Sequence, residues 1–381
     1  MPVLQKIRKQ FIRDQPLAGA SVSVCLPVTA ESANLMVTLR DGGASVSVCT
    51  ASSLQGDEDV LASLMRDYGI ATLPPDAAFS ESAKRLLLEE GATMFRILHT
   101  APADVAMNVI GSTEGTSAGI SRIRRAAADN RLRYPVIAVN EGPTPQLVQT
   151  SCGTGQSVLD AITRTTNTLF AGATVVVCGY GAAGTGIASR ARGLGASVIV
   201  TEVDPARAVA AVMDGFRVMP LADAASIGEI FITASHCRGV IGREVIDKLK
   251  DGAILCNAGH GSVEIDLDCL GRVTTAKRTV REFVEEYRMR DGRKVLVLCG
   301  GAVVHLTAGD GYPASVRDMS FATQALSAEH IVKNAGSLGN HVYAVPDAID
   351  NQVARMKLDA MGVSIDRLTI EQEKYLGAWN E

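Results

Sequence analysis

Paired cysteines are missing from this sequence. Its eight cysteines include no Cys-x-x-Cys spacing, so neither a metal site nor a disulfide framework is predicted. Several of them lie inside apolar runs such as VVVCGYG and AILCNAG, where a free thiol behaves as a small hydrophobic side chain. Buried free thiols favour a reducing compartment, and the expected location is the cytoplasm.

Long apolar runs and an excess of one charge are also missing. No apolar run approaches the ~18 residues of a membrane-spanning helix, and the start, MPVLQKIRKQFIRDQPLAG, has no apolar stretch typical of a signal peptide. The formal net charge is −4, and acidic and basic residues are interspersed. Neither a membrane nor a nucleic acid is therefore expected as a partner.

What the chain does contain is length and repeated strand–helix alternation. It has 381 residues, 47% of them hydrophobic, which is enough for two domains of ordinary size. Valine-rich runs such as ASVSVCLPV alternate with helix-like segments such as ESANLMVTLRDGG. Seven further short runs between residues 174 and 298 predict a second sheet of seven strands. This pattern is typical of α/β proteins with parallel sheets covered on both faces.

The segment VVVCGYGAAGTGIASRARGLGASVIVTEVDP carries the pattern of a dinucleotide-binding turn. Gly179, Gly181 and Gly184 form Gly-x-Gly-x-x-Gly between a strand and a helix. Such glycines allow, in order, the tight turn, the approach of the backbone to a pyrophosphate and close helix–strand packing. Glu202 closes the next strand, where a carboxylate binds the adenosine ribose and disfavours a 2′-phosphate. The prediction is bound NAD rather than NADP.

At this point the sequence resembles the S-adenosylhomocysteine hydrolase family over nearly its whole length. The stretches that carry the resemblance include LPVTAESANLMVTLRDGGASVSVC, GAILCNAGHGSVEIDL and YPASVRDMSFATQAL. The resemblance implies two doubly wound parallel-sheet domains, with a Rossmann NAD-binding domain (residues 153–311) inserted into a split substrate domain (residues 1–152 and 312–381). It also implies a homo-oligomer, either a dimer or a tetramer.

The family's chemistry is a closed redox cycle. Tightly bound NAD oxidises the ribose 3′-hydroxyl of the substrate to a ketone, which acidifies the neighbouring C4′ proton. A base removes this proton, the 5′ thiol leaves, water adds, and the ketone is reduced again. By this resemblance the cofactor performs the redox chemistry, and the protein supplies position and proton transfer.

Several substrate positions of the family are recognisable. The resemblance places Thr29 and Glu31 of LPVTAESANL at the adenine edge and Gln55 of SLQG beside the substrate. Glu90 of EEGATM stands where the family has the aspartate associated with C4′ proton transfer. In EGTSAG, however, Gly115 replaces a glutamate that binds the ribose.

Further matches concern the cofactor and the catalytic centre. By the resemblance, the positions near the cofactor outside the glycine turn are Thr116, Ser117, Thr150, Ala258 and His305. Asn140 and His260 match catalytic positions of the family.

The segment VNEGPTPQLVQT departs most from the family. Pro145 stands in place of the lysine that helps to activate the 3′-hydroxyl, and Gln149 in place of its aspartate partner, where it remains a candidate substrate contact. A proline side chain exchanges no proton, and glutamine does not ionise. Two other replacements bring an imidazole, His305, and a phenol, Tyr312, toward the site as candidate catalytic groups.

Three functional hypotheses follow. The leading one is an NAD-dependent enzyme that runs the same internal redox cycle on a nucleoside-like small molecule with an altered sugar, through elimination or hydration. In this hypothesis Glu90 is the C4′-type base, and His260, His305 and Tyr312 are candidates for moving the hydroxyl proton. The second is hydrolysis of S-adenosylhomocysteine by rebuilt catalytic groups. The third is a catalytically silent NAD-binding protein that regulates or scaffolds.

Overall fold

The computed structural model describes residues 1–49, 56–74, 84–259 and 261–378. The strands are β1 (Ser21–Cys25), β2 (Ser45–Cys49), β3 (Ala71–Leu73), β4 (Arg85–Glu89), β5 (Val109–Glu114), β6 (Val136–Ala138), β7 (Thr174–Cys178), β8 (Ser197–Thr201), β9 (Arg217–Val218), β10 (Ile230–Thr233), β11 (Ala253–Asn257), β12 (Thr274–Arg281), β13 (Val284–Met289), β14 (Lys294–Leu298) and β15 (Val342–Ala344). The helices are α1 (Pro2–Asp14), α2 (Ala30–Asp41), α3 (Glu58–Tyr68), α4 (Thr93–Thr100), α5 (Ser117–Ala128), α6 (Pro143–Pro145), α7 (Thr154–Thr166), α8 (Ala182–Gly193), α9 (Pro205–Met213), α10 (Leu221–Ala224), α11 (Arg243–Lys248), α12 (Leu267–Val273), α13 (Val304–Thr307), α14 (Ala314–Lys333), α15 (Asp347–Ala360) and α16 (Ile370–Gly377).

The first sheet is parallel, with the strand order β15-β6-β5-β4-β1-β2-β3. Its strands β1 and β4 are buried along their whole length, as their continuous apolar sequences require between two helical layers. Strand order reverses between β1 and β4, which makes their carboxyl ends the expected ligand crevice. Strand β15 comes from the far end of the chain and pairs with β6, so the two ends of the sequence build one sheet.

The second sheet has the order β12-β13-β14-β11-β10-β7-β8-β9. Its parallel part, from β14 to β9, has the Rossmann order, with the reversal between β7 and β10. The α/β prediction of two doubly wound sheets is confirmed. The prediction of seven strands was wrong, because the described sheet also contains β13. The sequence VEEYRM of β13 places two adjacent glutamates in the strand, which breaks the apolar alternation that marks strands.

A π-helix over Gln146–Gly153 follows α6 and leads into α7, the helix that enters the second sheet. The run SVLDAITRTTNTLFAG (residues 157–172) has helical spacing and ends on glycine, which predicts a helix that bridges the two sheets. The observed α7 starts and ends earlier. The π-helix packs directly on α8, since a Cβ added to Gly186 would lie 2.0 Å from the carbonyl oxygen of Ser151. π-Helices are rare and occur often at functional sites.

Helix α14 contacts the N-terminal helix α1. It is buried over most of its length, and its Asp318 carboxylate accepts hydrogen bonds from the backbone N–H groups of Val3 at 3.1 Å and Leu4 at 2.9 Å. These are N–H groups of the first turn of α1 that no helical carbonyl satisfies. These hydrogen bonds fix α14 relative to α1, and they therefore also fix the positions of the other side chains of α14.

Within the described ranges, no helix has both the length and the apolar content to cross a bilayer. The same residues contain no cluster of His, Cys, Asp and Glu that could hold a metal ion. The cysteines are free thiols, and those on β1, β2, β7, β11 and α12 are buried.

Candidate functional site

A cavity of about 1300 Å³ opens at the carboxyl ends of β7 and β10, where the second sheet reverses its strand order. Strands of the second sheet and segments that follow strands of both sheets line it. The lining includes six residues that the sequence predicted for cofactor or catalysis: Ser117, Asn140, Thr150, Gly179, Gly181 and Glu202. The structure thus brings together side chains that are far apart in the sequence. The shape and position of the cavity are those of a dinucleotide cleft.

The glycine turn has the geometry that a dinucleotide requires. Gly179 has φ of +108°, and a Cβ there would lie 2.8 Å from the carbonyl oxygen of Ala234. A Cβ on Gly184 would lie 1.9 Å from the carbonyl oxygen of Gly179, so α8 packs against the turn at a distance that only glycine allows. Gly181 is the N-cap of α8 and carries no side chain between the helix N-terminus and the cleft. The residues present therefore fit NAD.

Replacing Gly184 by alanine tests this fit. We expect Gly184→Ala to abolish co-purified NAD and to lower the free energy of unfolding by about 1–3 kcal/mol, because the new methyl group overpacks the turn. Gly193→Ala on the same helix is the matched control, since a Cβ there meets nothing within 4 Å. Equal NAD content in the two variants, measured by absorbance of the released nucleotide, would contradict the prediction.

Glu202 lies in the cleft and is held by the turn itself. Its carboxylate accepts hydrogen bonds from the backbone N–H groups of Tyr180 at 2.7 Å, Val203 at 2.7 Å and Asp204 at 3.1 Å. Burial alone would raise the pKa of Glu202, but these three donors outweigh it and lower the pKa. The group is thus a fixed anion, suited to accept from ribose hydroxyls and to repel a phosphate.

Glu90 follows β4 at the reversal point of the first sheet. Its backbone N–H donates to the carbonyl of Cys25, the last residue of the neighbouring β1. Its side-chain Oε1 accepts a hydrogen bond from Nη1 of Arg317 at 3.0 Å, and both side chains are only 14% exposed. Among the described residues Oε2 has no hydrogen-bond partner, so it remains free to take a proton.

The Glu90 side chain occupies the space beside Gly115. A Cβ added to Gly115 would lie 3.1 Å from Cγ and 3.3 Å from Oε1 of Glu90. Glutamate at position 90 and a side chain at position 115 therefore compete for the same volume. This explains in steric terms why the longer acid at position 90 accompanies glycine at position 115.

Arg317 is a functional candidate that the sequence reasoning missed. Its guanidinium lies over the ring of Tyr312, 4.9 Å from the centroid, and also near the ring of Phe321 at 5.4 Å. It is paired with Glu90, and its positive field also reaches His305. One signal was available: Arg317 lies in a stretch, ASVRDMSFATQAL, that consists mostly of apolar and small residues.

Tyr312 belongs to a polar chain that leads to the π-helix. Its hydroxyl is 3.2 Å from the hydroxyl of Thr154, and the amide of Gln149 also interacts with the phenol. Burial raises the pKa of Tyr312. The phenol therefore stays protonated near neutral pH and acts as a hydrogen-bond donor rather than as a base.

His305 contributes a neutral imidazole to this cluster. It lies on α13, is 3% exposed, and its ring centroid is 5.6 Å from that of Tyr312. Burial, with a smaller contribution from Arg317, lowers the pKa of His305 to about 4. Its Nδ1 has no partner among the described residues although it is buried, which is unusual for a polar atom and indicates a place for a ligand atom.

Two more buried amides have the same character. Oε1 of Gln149 and Oδ1 of Asn140 lack partners within the described ranges, although both side chains are 7% exposed. Nδ2 of Asn140 donates to the hydroxyl of Ser117 at 3.1 Å, which fixes the direction of its oxygen. Asn140 lines the cavity, whereas Gln149 and His305 both adjoin Tyr312, and each of the three side chains keeps a polar atom available to a ligand.

The turn after Glu90 is fixed by a buried glutamate that the sequence reasoning did not single out. Glu114 accepts hydrogen bonds from the backbone N–H groups of Gly91 at 2.9 Å and Ala92 at 2.8 Å and from the hydroxyl of Thr116 at 2.6 Å. Burial raises the pKa of Glu114, and burial together with the charge of Glu114 raises the pKa of the adjacent Glu89. Because Glu114 has these donors and Glu89 has few, Glu89 is the one that carries the proton.

The remaining predicted residues have local roles in the structure. The hydroxyl of Thr29 caps α2 by accepting from the N–H of Ser32, and Glu31 lies half-buried in the first turn of α2. Thr116 caps α5. Ala258 donates its N–H to the carbonyl of Thr233 at the end of β10. Gln55 and His260 lie outside the described residues.

Comparison with known proteins gives two family matches. Residues 150–311 match the family model described as S-adenosyl-L-homocysteine hydrolase, NAD binding domain. Residues 1–74 match the model described as S-adenosyl-L-homocysteine hydrolase.

Curated relatives match over the full length. The adenosylhomocysteinase of Aquifex aeolicus is 45% identical over 390 residues, covering 100% of this chain and 93% of the relative. That of Archaeoglobus fulgidus is 46% identical over 390 residues, covering 100% of this chain and 96% of the relative. Among solved structures, a dipicolinate synthase from Bacillus halodurans superposes with a TM-score of 0.51 at 14% identity, covering 84% of this chain and 99% of that chain. At that identity the likeness concerns the fold alone.

Proposed function

We propose that this chain, which belongs to the S-adenosyl-L-homocysteine hydrolase family, runs an internal redox cycle with elimination on a nucleoside with an altered sugar. The observation that carries the proposal is the content of the site. Pro145 and Gln149 occupy the positions where the resemblance implies a lysine and an aspartate. His305, Tyr312, Arg317 and Glu90 adjoin one another and supply other polar groups. The acid–base groups missing at positions 145 and 149 are thus replaced by groups at other positions, namely Glu90 and His305.

NAD is the cofactor of this family, and when bound it supplies reversible oxidation of a sugar hydroxyl. The protein's own residues provide the proton transfers. Oε1 of Glu90 accepts a hydrogen bond from Arg317, so Oε2 is the oxygen left to take a proton from carbon. A 5′ hydroxyl then leaves from the carbanion as water, with the proton that Glu90 has taken passed to the leaving oxygen.

His305 receives the proton of the hydroxyl that is oxidised. Burial lowers the pKa of His305 to about 4, so its imidazole is neutral at physiological pH and has an unprotonated nitrogen available. The protonated phenol of Tyr312 donates a hydrogen bond into the same space. Asn140 and Gln149 offer fixed oxygen acceptors to substrate hydroxyls.

Hydrolysis of S-adenosylhomocysteine is the second candidate. It is favoured by the adenosylhomocysteinases that match the whole chain at 45% and 46% identity. The loss of a positioned acid–base group usually costs about 10²–10⁴-fold in rate, and two such groups are replaced at positions 145 and 149. The parent activity is therefore expected to be weak here.

The test is absorbance of reduced nicotinamide on the purified, NAD-loaded protein. We would add S-adenosylhomocysteine, adenosine and a panel of adenine nucleosides with changed sugars. The proposal is supported if one sugar-changed nucleoside raises this absorbance and itself loses the mass of one water. If no compound of the panel raises the absorbance of reduced nicotinamide while NAD is still bound, the result would favour a catalytically silent regulatory protein.

Two further properties are part of this proposal. The mixed surface charge and buried thiols suit a cytoplasmic protein. The family suggests a homo-oligomer, a dimer or tetramer, which light scattering of the full chain tests directly.

A further inference from the structure

One side of α14 adjoins the space beside Gly115. Arg317, Phe321 and Gln324 are spaced four and three residues apart, so they share one side of the helix. Nε2 of Gln324 is 3.7 Å from the position of a Cβ on Gly115, and Glu90 is closer still. The helix, Glu90 and Gly115 therefore enclose one small polar region at the carboxyl end of β5.

This region has hydrogen-bonding capacity that the protein leaves unused. Arg317 donates from Nη1 to Glu90, and its Nε and Nη2 have no partner among the described residues. Oε1 of Gln324 is likewise unpartnered there, although the side chain is 1% exposed. A buried polar atom such as Oε1 of Gln324 is normally satisfied, so a ligand atom is expected here.

The charge of the region limits the kind of ligand. Arg317 and Glu90 form an ion pair at 3.0 Å, so together they carry no net charge and do not select an anion such as a phosphate. A hydroxyl suits the pair, because its oxygen accepts from the guanidinium while its hydrogen is donated to a carboxylate or amide oxygen.

We infer that Arg317 is a specificity-determining residue that binds a hydroxyl on the sugar of the substrate, in the space beside Gly115. The inference deepens the proposed function and rests on its assignment of a nucleoside substrate. A site built to bind a hydroxyl rejects the analogue lacking it by about 10⁴–10⁵-fold in the strongest cases, because its polar groups are then left unpaired. Arg317 thus sets which altered sugar is accepted.

Calorimetric binding to the NAD-loaded protein tests the inference without turnover. The probes are adenine nucleosides in pairs that differ by the gain, loss or inversion of one sugar hydroxyl. The wild-type protein is expected to prefer one hydroxyl-bearing member over its partner by at least ~10²-fold. In Arg317→Met this preference falls below ~10-fold, through weaker binding of the hydroxyl-bearing member only.

Arg317→Lys keeps the charge but loses the planar set of guanidinium donors. Its hydroxyl preference is expected to lie between those of the wild type and Arg317→Met. If Arg317→Met loses its NAD or melts at a lower temperature than the wild type, the hydroxyl preference of Arg317→Lys decides the test. Arg243→Met, on an exposed helix where Arg243 pairs with Asp247, is the control for loss of one arginine and leaves the preference unchanged. An unchanged preference in Arg317→Met, or no hydroxyl preference in the wild type, overturns the inference.

The result separates the two proposals. If Arg317 governs hydroxyl preference but no nucleoside reduces the bound nicotinamide, the inference stands and the redox proposal fails. If reduction occurs with a hydroxyl preference independent of Arg317, the redox proposal stands and the inference fails.

Discussion

Glu90→Gln is expected to lower turnover by about 10²–10⁴-fold, because a glutamine accepts no proton. The amide keeps an oxygen that accepts from Arg317, so a hydrogen bond to a neutral group replaces the ion pair, which spans 3.0 Å in the wild type. NAD content and substrate binding should therefore change much less than turnover. Steady-state rates with the nucleoside identified from the panel, set beside calorimetric binding, separate these effects.

Glu90→Asp is the matched variant, since it retains the carboxylate and shortens the side chain by one methylene. We expect it to keep more activity than Glu90→Gln and to weaken the contact with Arg317. Turnover of Glu90→Gln within about threefold of the wild type, a change much smaller than loss of a general base produces, would remove Glu90 from the role of proton acceptor.

His305→Gln is expected to lower turnover by a similar factor of about 10²–10⁴, since the neutral imidazole is the only unpartnered buried nitrogen base in the described part of the site. Because burial lowers the pKa of His305 to about 4, the wild-type enzyme should keep this group neutral through mildly acidic pH. The activity profile should show no loss near the ordinary histidine pKa of about 6.5.

The same shift predicts how stability depends on pH. The unfolded chain protonates His305 near its ordinary pKa of about 6.5, whereas burial in the folded chain lowers that pKa to about 4, so stability is complete above about 6.5 and falls as the pH drops toward 4. The loss is up to roughly 3 kcal/mol. His305→Gln removes this part of the acid sensitivity, whereas His341→Gln, at an exposed position, leaves it unchanged. Equal acid melting curves for the wild type and His305→Gln would contradict the assignment.

Local features were predictable from the sequence. Val175 to Cys178 and the glycines at 179, 181 and 184 form a strand, turn and helix as predicted, because apolar runs and glycine spacing act over a few residues. The two doubly wound sheets followed from the repetition of such units. Strand β13 was not predicted, because its two adjacent glutamates interrupt the alternation of apolar and polar residues that marks a strand. In the structure Glu286 is nevertheless only 9% exposed, and it pairs with Arg278.

The contacts that define the candidate site were not predictable in the same way. Arg317 reaches Glu90 across 227 positions of sequence, and nothing near either residue specifies which face of α14 meets the end of β4. The resemblance identified the losses at Pro145 and Gln149 but not the groups that now surround the site. The role of Glu114 in holding the turn after Glu90 likewise depends on pairing between β4 and β5.

The central claim is that the site acts by redox elimination on a sugar-altered nucleoside rather than on S-adenosylhomocysteine. The most direct test incubates the NAD-loaded protein in deuterium oxide with S-adenosylhomocysteine and the nucleoside panel together and follows every component by mass. We predict that one sugar-altered nucleoside loses the mass of one water and that its unreacted fraction gains deuterium on the sugar, while S-adenosylhomocysteine persists. Rapid release of homocysteine, with the panel unchanged, would contradict the account.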